Sequence, residues 1–295
     1  MASTLDALRP RCRFPSTPTV TCAVSGGADS LALLVLACDA GLDVTAVHVD
    51  HGLRAGSADE VEVVADAAAR FGARFRAEQV AVKPGGDLES RARAARREVL
   101  GPDALYGHTA DDQAETVLLA LLRGTGLDGV AAMRDEHHPL LRVRRAETHA
   151  LCADLGLAPV QDPSNGDPRF RRNRVRAEVL PLLDDVAERD VVPLLCRLAD
   201  LARDDVDLLD DLAGALDPTD ARALAAAPRP LASRAVRRWL RSLLPGGHPP
   251  DAGAVARVLD VAAGRATGTE LAGGLRVSRR SQRLRVDRSR SEDAR

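Results

Sequence analysis

The chain has 295 residues, of which 45% are hydrophobic and only 2% aromatic, and its formal net charge is −2. This size suggests two domains with aliphatic cores, and so few aromatic rings argue against a base-stacking platform for single-stranded nucleic acid. The five cysteines lack Cys-x-x-Cys spacing, which argues against a disulfide framework or a zinc site, and no apolar run approaches ~20 residues. We therefore expect a cytoplasmic protein with no membrane partner.

The first half of the chain alternates predicted strands and helices after a loose lead-in at residues 1–17. Strands are predicted at Thr19–Val24, Val44–Val49, Arg74–Val82 and Ala104–Gly107. Helices are predicted at Ser30–Ala40, Ser57–Phe71, Leu88–Leu100 and Asp111–Arg123. Such alternation predicts an α/β fold, with a mainly parallel sheet and helices on both faces.

Beyond about residue 184 the pattern changes to amphipathic helices. These are predicted at Pro193–Leu216, Leu231–Leu244 and Ala252–Ala263, followed by a terminal hairpin at Thr269–Val286. We therefore predict two domains, residues 1–184 and residues 185–295, of which the second is smaller and mostly helical.

A glycine-containing loop, Ser25-Gly26-Gly27-Ala28-Asp29-Ser30, lies between the first predicted strand and helix. Glycines let the backbone approach an anion, and free N–H groups at a helix N-terminus attract it. The Ser25 and Ser30 hydroxyls can also donate hydrogen bonds to a phosphate, whereas the Asp29 carboxylate would repel a phosphate unless a Mg²⁺ ion bridged the two. A phosphate-binding loop is therefore predicted in preference to a plain glycine turn. The Gly-x-Gly-x-x-Gly at 124–129 follows a helix, so it lacks the context of a dinucleotide fingerprint.

The loop resembles the PP-loop of the N-type ATP pyrophosphatases, which split ATP into AMP and pyrophosphate. A second segment, His48 to Arg54, is similar to the HVNHGLR segment of the lysidine synthases in that superfamily. The resemblance implies that it helps to enclose the adenosine, and we prefer this to a metal site at His48, Asp50 and His51. The ATP contacts that it implies are Ala23, Ser25, Gly26, Gly27, Ala28, Asp29, Ser30 and His48.

A third segment, Gly107 to Gly124, resembles the GHxADDQxET…LLRG segment of the same enzymes. Asp112, Glu115 and Thr116 share one helix face at this spacing. Clustered carboxylates suit Mg²⁺ or an ammonium group, although a solvated acidic helix start is the alternative. The resemblance implies Mg²⁺ at Asp29 and Asp112. The catalytic residues that it implies are Asp29, His108, Asp111, Asp112, Glu115 and Arg123.

Two arginine-rich segments complete the resemblance. Glu89 to Arg97 is similar to the family's E-x-x-A-R-x-x-R-Y segment, with Arg97 in place of the usual tyrosine, and Gln161 to Pro181 resembles DPSN…RNRxR. The latter implies tRNA contacts, to which residues 142–145 would add basic surface, although a basic linker held to Asp184–Asp190 is equally compatible with the residues alone. The implied tRNA-binding residues are Arg171, Arg172, Arg174 and Arg176.

The resemblance implies ATP-dependent adenylation at C2 of the anticodon's first cytidine in tRNA(Ile) with a CAU anticodon. Free L-lysine then attacks and AMP leaves, giving lysidine. Homodimerisation is left open. Two alternatives remain: tRNA thiolation, which usually needs paired cysteines, and a non-catalytic nucleotide- or RNA-binding relative, which would form no AMP.

Overall fold

A computed structural model describes residues 4–50, 57–80, 98–161, 166–244 and 250–288. The chain divides into two compact units, Met1–Ala202 and Arg203–Arg295. The first unit extends beyond residue 184 because Val191 and Val192 are buried in a cluster with Ala110 and Leu118. The functional division into residues 1–184 and 185–295 stays a prediction.

A parallel sheet lies at the centre of the first unit. Its strands are β1 (Thr19–Ala23), β2 (Asp43–Asp50), β3 (Arg74–Gln79) and β4 (Leu105–Tyr106), in the order β3-β2-β1-β4. β1 pairs in parallel with both β2 and β4. The strand order reverses between β1 and β4, and ligands of open α/β sheets bind at the carboxyl ends of such strands.

Helices and helical turns make up most of the remainder of the first unit. They are α1 (Thr4–Leu8), a 3-10 turn (Arg9–Arg11), α2 (Ala28–Asp39), α3 (Ser57–Phe71), α4 (Ala110–Leu122), α5 (Leu127–Val130), α6 (Arg145–Asp154), α7 (Arg171–Arg174), a π-helical stretch (Val175–Val179), α8 (Leu180–Ala187) and α9 (Val192–Gly214), which continues into the second unit. The loose lead-in expected at residues 1–17 is wrong for α1, because Leu8 is only 2% exposed within the main core.

Both faces of the sheet carry buried apolar side chains. Val20 and Cys22 on β1 pack in the cluster that contains the apolar helix α2. Ala23 lies in a separate cluster with Val47 and Ala104. This follows from strand geometry, since successive side chains point to opposite faces. The predicted α/β class with a parallel sheet is confirmed.

The second unit combines helices with a small antiparallel sheet. It contains the end of α9, then α10 (Ala221–Ala226), α11 (Arg229–Leu243), α12 (Ala252–Ala262), β5 (Gly268–Leu271), a 3-10 turn (Ala272–Gly274), β6 (Leu275–Arg280) and β7 (Arg283–Arg288). The predicted hairpin proves to be three strands in the order β5-β6-β7, because a second turn at Ser281 and Gln282 has φ values of 50° and 66°. Positive φ at both positions favours a tight two-residue hairpin turn.

Several predicted features lie outside the described residues: most of the Leu88–Leu100 helix, His51 to Arg54, and residues 162–165. Among the helices that are described, none combines the length and the apolar character that a membrane crossing requires.

Candidate active site

A cavity of about 870 Å³ opens at the carboxyl ends of β1 and β4. Its walls include Ser25, Gly27 and Asp29 from the phosphate loop, and His108 and Asp112 from the segment after β4. Further walls come from Arg145, His149, Arg172, Asn173 and Arg176. The volume is within the range of small-molecule sites, and the polar lining suits a charged nucleotide.

The phosphate loop is closed by its own last serine. Ser30 Oγ accepts a hydrogen bond from the Ser25 backbone N–H (3.1 Å) and donates one to the Gly27 carbonyl oxygen (2.8 Å). Gly26 has a φ of +85°, which a residue with a side chain rarely adopts. The Ser30 hydroxyl therefore holds the loop's shape in this structure.

A second glycine, Gly107, allows the segment after β4 to approach this loop. A Cβ atom at Gly107 would lie 2.5 Å from the Asp29 carbonyl oxygen, so that a side chain here would force the backbones apart. Only glycine lets His108 and Asp112 share the cavity with the phosphate loop at this spacing.

Three carboxylates converge on one guanidinium, that of Arg145. Its Nε lies 3.4 Å from Asp29 Oδ2, its Nη2 lies 2.7 Å from Asp112 Oδ1, and its Nη1 lies 3.2 Å from Glu115 Oε1. Sequence reasoning had placed Arg145 only on a basic surface with Arg142 and Arg144. No helix was predicted around Arg145, which in the structure begins α6 three residues before Thr148, whose hydroxyl donates to Asp29 Oδ1.

Glu115 is fully buried and binds two further arginines. Arg176 Nε lies 2.7 Å from Glu115 Oε1, and Arg172 Nε lies 3.2 Å from Glu115 Oε2. We call Asp29, Asp112, Glu115, Arg145, Arg172 and Arg176 the acid–arginine cluster. A buried carboxylate is tolerated when it is paired in this way.

The four predicted tRNA-binding arginines thus divide into two pairs. Arg172 and Arg176 line the cavity. Arg171 and Arg174 are exposed, and Arg174 pairs with Glu178 at 2.7 Å. Their role in tRNA binding stays a prediction.

The pKa values of Asp29 and Asp112, which both contact the Arg145 guanidinium, are shifted in opposite directions. Burial raises the pKa of Asp29, and the Thr148 hydroxyl and Arg145 offset only part of that effect. Burial also acts to raise the pKa of Asp112, but Arg145, His108 and the Thr109 amide outweigh it and hold the pKa below its usual value. Asp112 is therefore the more firmly ionised of the two.

His108 lies in the cavity wall against a second histidine. Its Nδ1 lies 3.0 Å from Nδ1 of His138, so one ring must donate and the other accept. Burial and the proximity of His108 lower the pKa of His138 to about 3. His138 is thus neutral at ordinary pH.

Three predicted site residues are placed elsewhere. Asp111 turns from the cavity to Arg144 and accepts the Arg145 backbone N–H at 2.7 Å. Arg123 caps the far end of α4, about 16 Å along the helix from Asp112 at about 1.5 Å per residue. His48 is buried, donating from Nδ1 to the Val24 carbonyl oxygen at 3.0 Å, whereas Ala23 lines the cavity.

The donor chemistry at Asp29 and Asp112 fits Mg²⁺. Their carboxylate oxygens already face one cationic group, and Mg²⁺ prefers such oxygens, commonly one or two together with substrate phosphates. Over the described ranges, no trio of His, Cys, Asp or Glu side chains forms a metal site by itself. The arrangement therefore suits a cation that is shared with a nucleotide.

A solved structure of low sequence identity shares this fold. The U34-tRNA thiolase NcsA from Methanococcus maripaludis superposes with a TM-score of 0.54 at 17% identity, covering 68% of this chain and 78% of that chain. At such identity the likeness concerns the fold alone.

Sequence comparison is more specific. The family model described as a PP-loop domain matches residues 4–183. The tRNA(Ile)-lysidine synthase of Nocardia farcinica is 49% identical over 243 residues, covering 76% of each chain. That of Mycolicibacterium paratuberculosis is 45% identical over 236 residues, covering 74% of this chain and 73% of the relative. The chain belongs to the tRNA(Ile)-lysidine synthase family of PP-loop proteins.

Proposed function

We propose that this protein ligates lysine to C2 of the anticodon's first cytidine in tRNA(Ile) with a CAU anticodon. The observation that carries the proposal is the family's phosphate loop sharing one cavity with Asp112, Arg145 and Arg176. ATP is the co-substrate, and AMP and pyrophosphate are the products.

In the first step, the O2 atom of the cytidine bonds to the α-phosphorus of ATP, and the bond to the bridging oxygen of pyrophosphate breaks. Backbone N–H groups of the phosphate loop and the start of α2 bind the leaving pyrophosphate. Asp29 and Asp112 would hold Mg²⁺, which neutralises charge on that leaving group when bound. His108 donates to a phosphate oxygen from the ring nitrogen that does not face His138.

In the second step, the amine of lysine bonds to C2, the C2–O2 bond breaks, and AMP leaves with that oxygen. The amine must lose a proton to attack, so a carboxylate is needed near it. Asp111 is disfavoured for this role, because its carboxylate is turned to Arg144 and accepts the Arg145 backbone N–H.

We also propose that the second unit binds tRNA through the exposed face of its sheet. Arg280 and Arg283 lie directly opposite each other on β6 and β7, and Arg285 lies opposite Ser278 on the same face. All three arginines are exposed. Arg283 is ion-paired with Asp217, so Arg280 and Arg285 are the arginines of this face that we expect to contact a phosphate backbone.

Thiolation, the other reaction considered, is disfavoured by the state of the cysteines. Burial raises the pKa of Cys12, Cys22 and Cys196 to about 12 and that of Cys152, in the cavity wall, to about 11. Burial raises the pKa of Cys38 as well. A thiolate is the reactive species, so these protonated thiols are poor sulfur carriers. A cysteine-free variant should keep its activity.

The decisive assay measures incorporation of radiolabelled lysine into tRNA(Ile) bearing the CAU anticodon, in the presence of ATP. A C-to-U change at the first anticodon position should abolish the signal. An Asp29→Ala variant should fold, by circular dichroism, yet lose ATP–pyrophosphate exchange. Unchanged exchange in that variant would refute the site, and binding of tRNA without AMP formation would favour a non-catalytic relative.

A further inference from the structure

Arg145 holds the position between two carboxylates that would otherwise receive a cation. Its Nη2 lies 2.7 Å from Asp112 Oδ1 and its Nε lies 3.4 Å from Asp29 Oδ2. The base of this side chain is fixed, because the Arg145 backbone N–H donates to Asp111 Oδ2 at 2.7 Å. The Arg145 side chain is 20% exposed and lines the cavity, so its guanidinium can turn away without unfolding the helix.

The acid–arginine cluster is already balanced in charge. It contains three carboxylates and three guanidiniums. Five of these six side chains line the cavity, and the sixth, Glu115, is buried beneath them. A divalent cation that entered alone would add two uncompensated positive charges at short range, which Coulomb repulsion opposes. A cation that arrives with a nucleotide brings its own counter-charge and meets no such barrier.

We infer that Arg145 is an exchangeable counter-ion, which occupies the cation position between Asp29 and Asp112 in the nucleotide-free protein and turns to the nucleotide's phosphates when Mg²⁺ arrives with ATP. The inference rests on the proposed role of Asp29 and Asp112 in holding Mg²⁺. Arg145 is then a positioning residue for the carboxylates before binding, and a phosphate contact afterwards. The exchange makes productive cation binding dependent on the nucleotide.

The test measures Mg²⁺ binding to the nucleotide-free protein by titration calorimetry, with MgCl₂ alone as the probe. Arg145→Gln removes the competing charge and should tighten Mg²⁺ binding at least about tenfold relative to wild type. Arg145→Lys keeps the charge and should bind Mg²⁺ as weakly as wild type does. Arg142→Gln removes an equal charge from an exposed pair with Asp200 and should leave the affinity unchanged.

The gain must also depend on the carboxylates. Adding Asp29→Asn to the Arg145→Gln variant should abolish the tightened binding, because half of the proposed cation position is then neutral. Equal Mg²⁺ affinity in wild type and Arg145→Gln would overturn the inference, and so would a gain that survives Asp29→Asn.

A second measurement needs no folded Arg145→Gln protein. The Arg145 Nε–H resonance of wild type, assigned by its loss in Arg145→Lys, should shift when Mg²⁺ and a non-hydrolysable ATP analogue are added together. Mg²⁺ alone should leave it in place, and an unmoved signal with both would overturn the inference. Lysine incorporation by the wild-type protein tests the proposed function separately. If wild type incorporates lysine normally but Arg145→Gln does not change the Mg²⁺ affinity, the proposed function stands and the role of Arg145 as an exchangeable counter-ion is refuted.

Discussion

Arginines in the two compact units have opposite surroundings. In the first unit, Arg145, Arg172 and Arg176 converge on the buried Glu115. In the second, Arg280 and Arg283 face each other on the exposed side of a sheet. The first group is bound by a buried carboxylate and shapes a cavity, whereas the second lies on an exposed surface that suits a polyanion, although Arg283 is paired with the exposed Asp217. The same residue type therefore serves two purposes that a charge count cannot separate.

The contrast has a measurable consequence in salt. Exposed charges are screened within about 8 Å at physiological ionic strength, but buried pairs are screened much less. Binding of tRNA by the exposed arginines of the sheet should therefore weaken with salt, and substituting these arginines should not change the free energy of unfolding. Substitutions in the acid–arginine cluster should lower the free energy of unfolding, and that loss should depend little on salt. The following predictions test this difference, beginning with the largest expected effect.

Glu115→Ala should be the most damaging change, because it leaves three guanidiniums without their buried partner. We expect a loss of about 3–5 kcal/mol in the free energy of unfolding, as for other broken buried pairs. Urea denaturation followed by circular dichroism measures it. The matched control is Glu178→Ala, which removes an exposed partner from Arg174 and should not move the unfolding midpoint. Equal effects of the two substitutions would contradict the contrast.

The double variant Arg280→Gln/Arg285→Gln should weaken tRNA binding about tenfold at low salt and leave the fold intact. If each arginine contacts one phosphate, the slope of log affinity against log salt should flatten by about 0.7–0.9 per arginine. Filter binding at several salt concentrations measures this. Arg9→Gln/Arg13→Gln removes the same charge from exposed pairs of the first unit and should leave the slope unchanged.

Asp29→Asn and Asp112→Asn should change stability in opposite directions, although both carboxylates contact Arg145. The raised pKa of Asp29 means that its ionised form costs stability as the pH rises above its usual value of 3.8. Asp29→Asn should therefore stabilise the inactive protein at pH 7 by about 1 kcal/mol, as relief of functional-site strain commonly does.

The lowered pKa of Asp112 has the opposite sign. Its stabilising contribution is complete above 3.8 and is lost as the pH falls through the lower folded value. Asp112→Asn should destabilise the protein at pH 7 and reduce the loss of stability in acid. Urea unfolding from pH 3 to pH 7 distinguishes the two variants, and a shared sign would contradict the opposite pKa shifts of the two carboxylates.

The sequence predicted the fold, and the place of Ser25–Ser30 between a strand and a helix, because both depend on local patterns. Strand–helix alternation and the run Ser25 to Ser30 can be recognised from neighbouring residues alone, and the parallel sheet is as expected. The lead-in was misjudged because the burial of Leu8 depends on long-range packing, which periodicity over a few residues does not report.

The arrangement of the site was less predictable for the same reason. Arg145 is more than a hundred residues from Asp29, and only the tertiary fold brings their side chains together. Asp111 and Asp112 are neighbours in sequence, yet one caps α6 and the other lines the cavity. The short segment Arg171–Arg176 likewise supplies both a cavity wall and an exposed surface, because successive helical residues point in different directions.

The exposed arginines of the segment Arg171–Arg176 should give the smallest effect on tRNA affinity. Arg171→Gln or Arg174→Gln should weaken tRNA binding only two- to fivefold, about the share of one screened phosphate contact, without changing the unfolding midpoint. Arg176→Gln should instead lower the midpoint and impair ATP–pyrophosphate exchange, because Arg176 Nε lies 2.7 Å from the buried Glu115. Filter binding and thermal melting of the three variants separate these outcomes. If Arg171→Gln impaired exchange as strongly as Arg176→Gln, the segment would act as one catalytic surface, and the distinction between its buried and exposed arginines would fail.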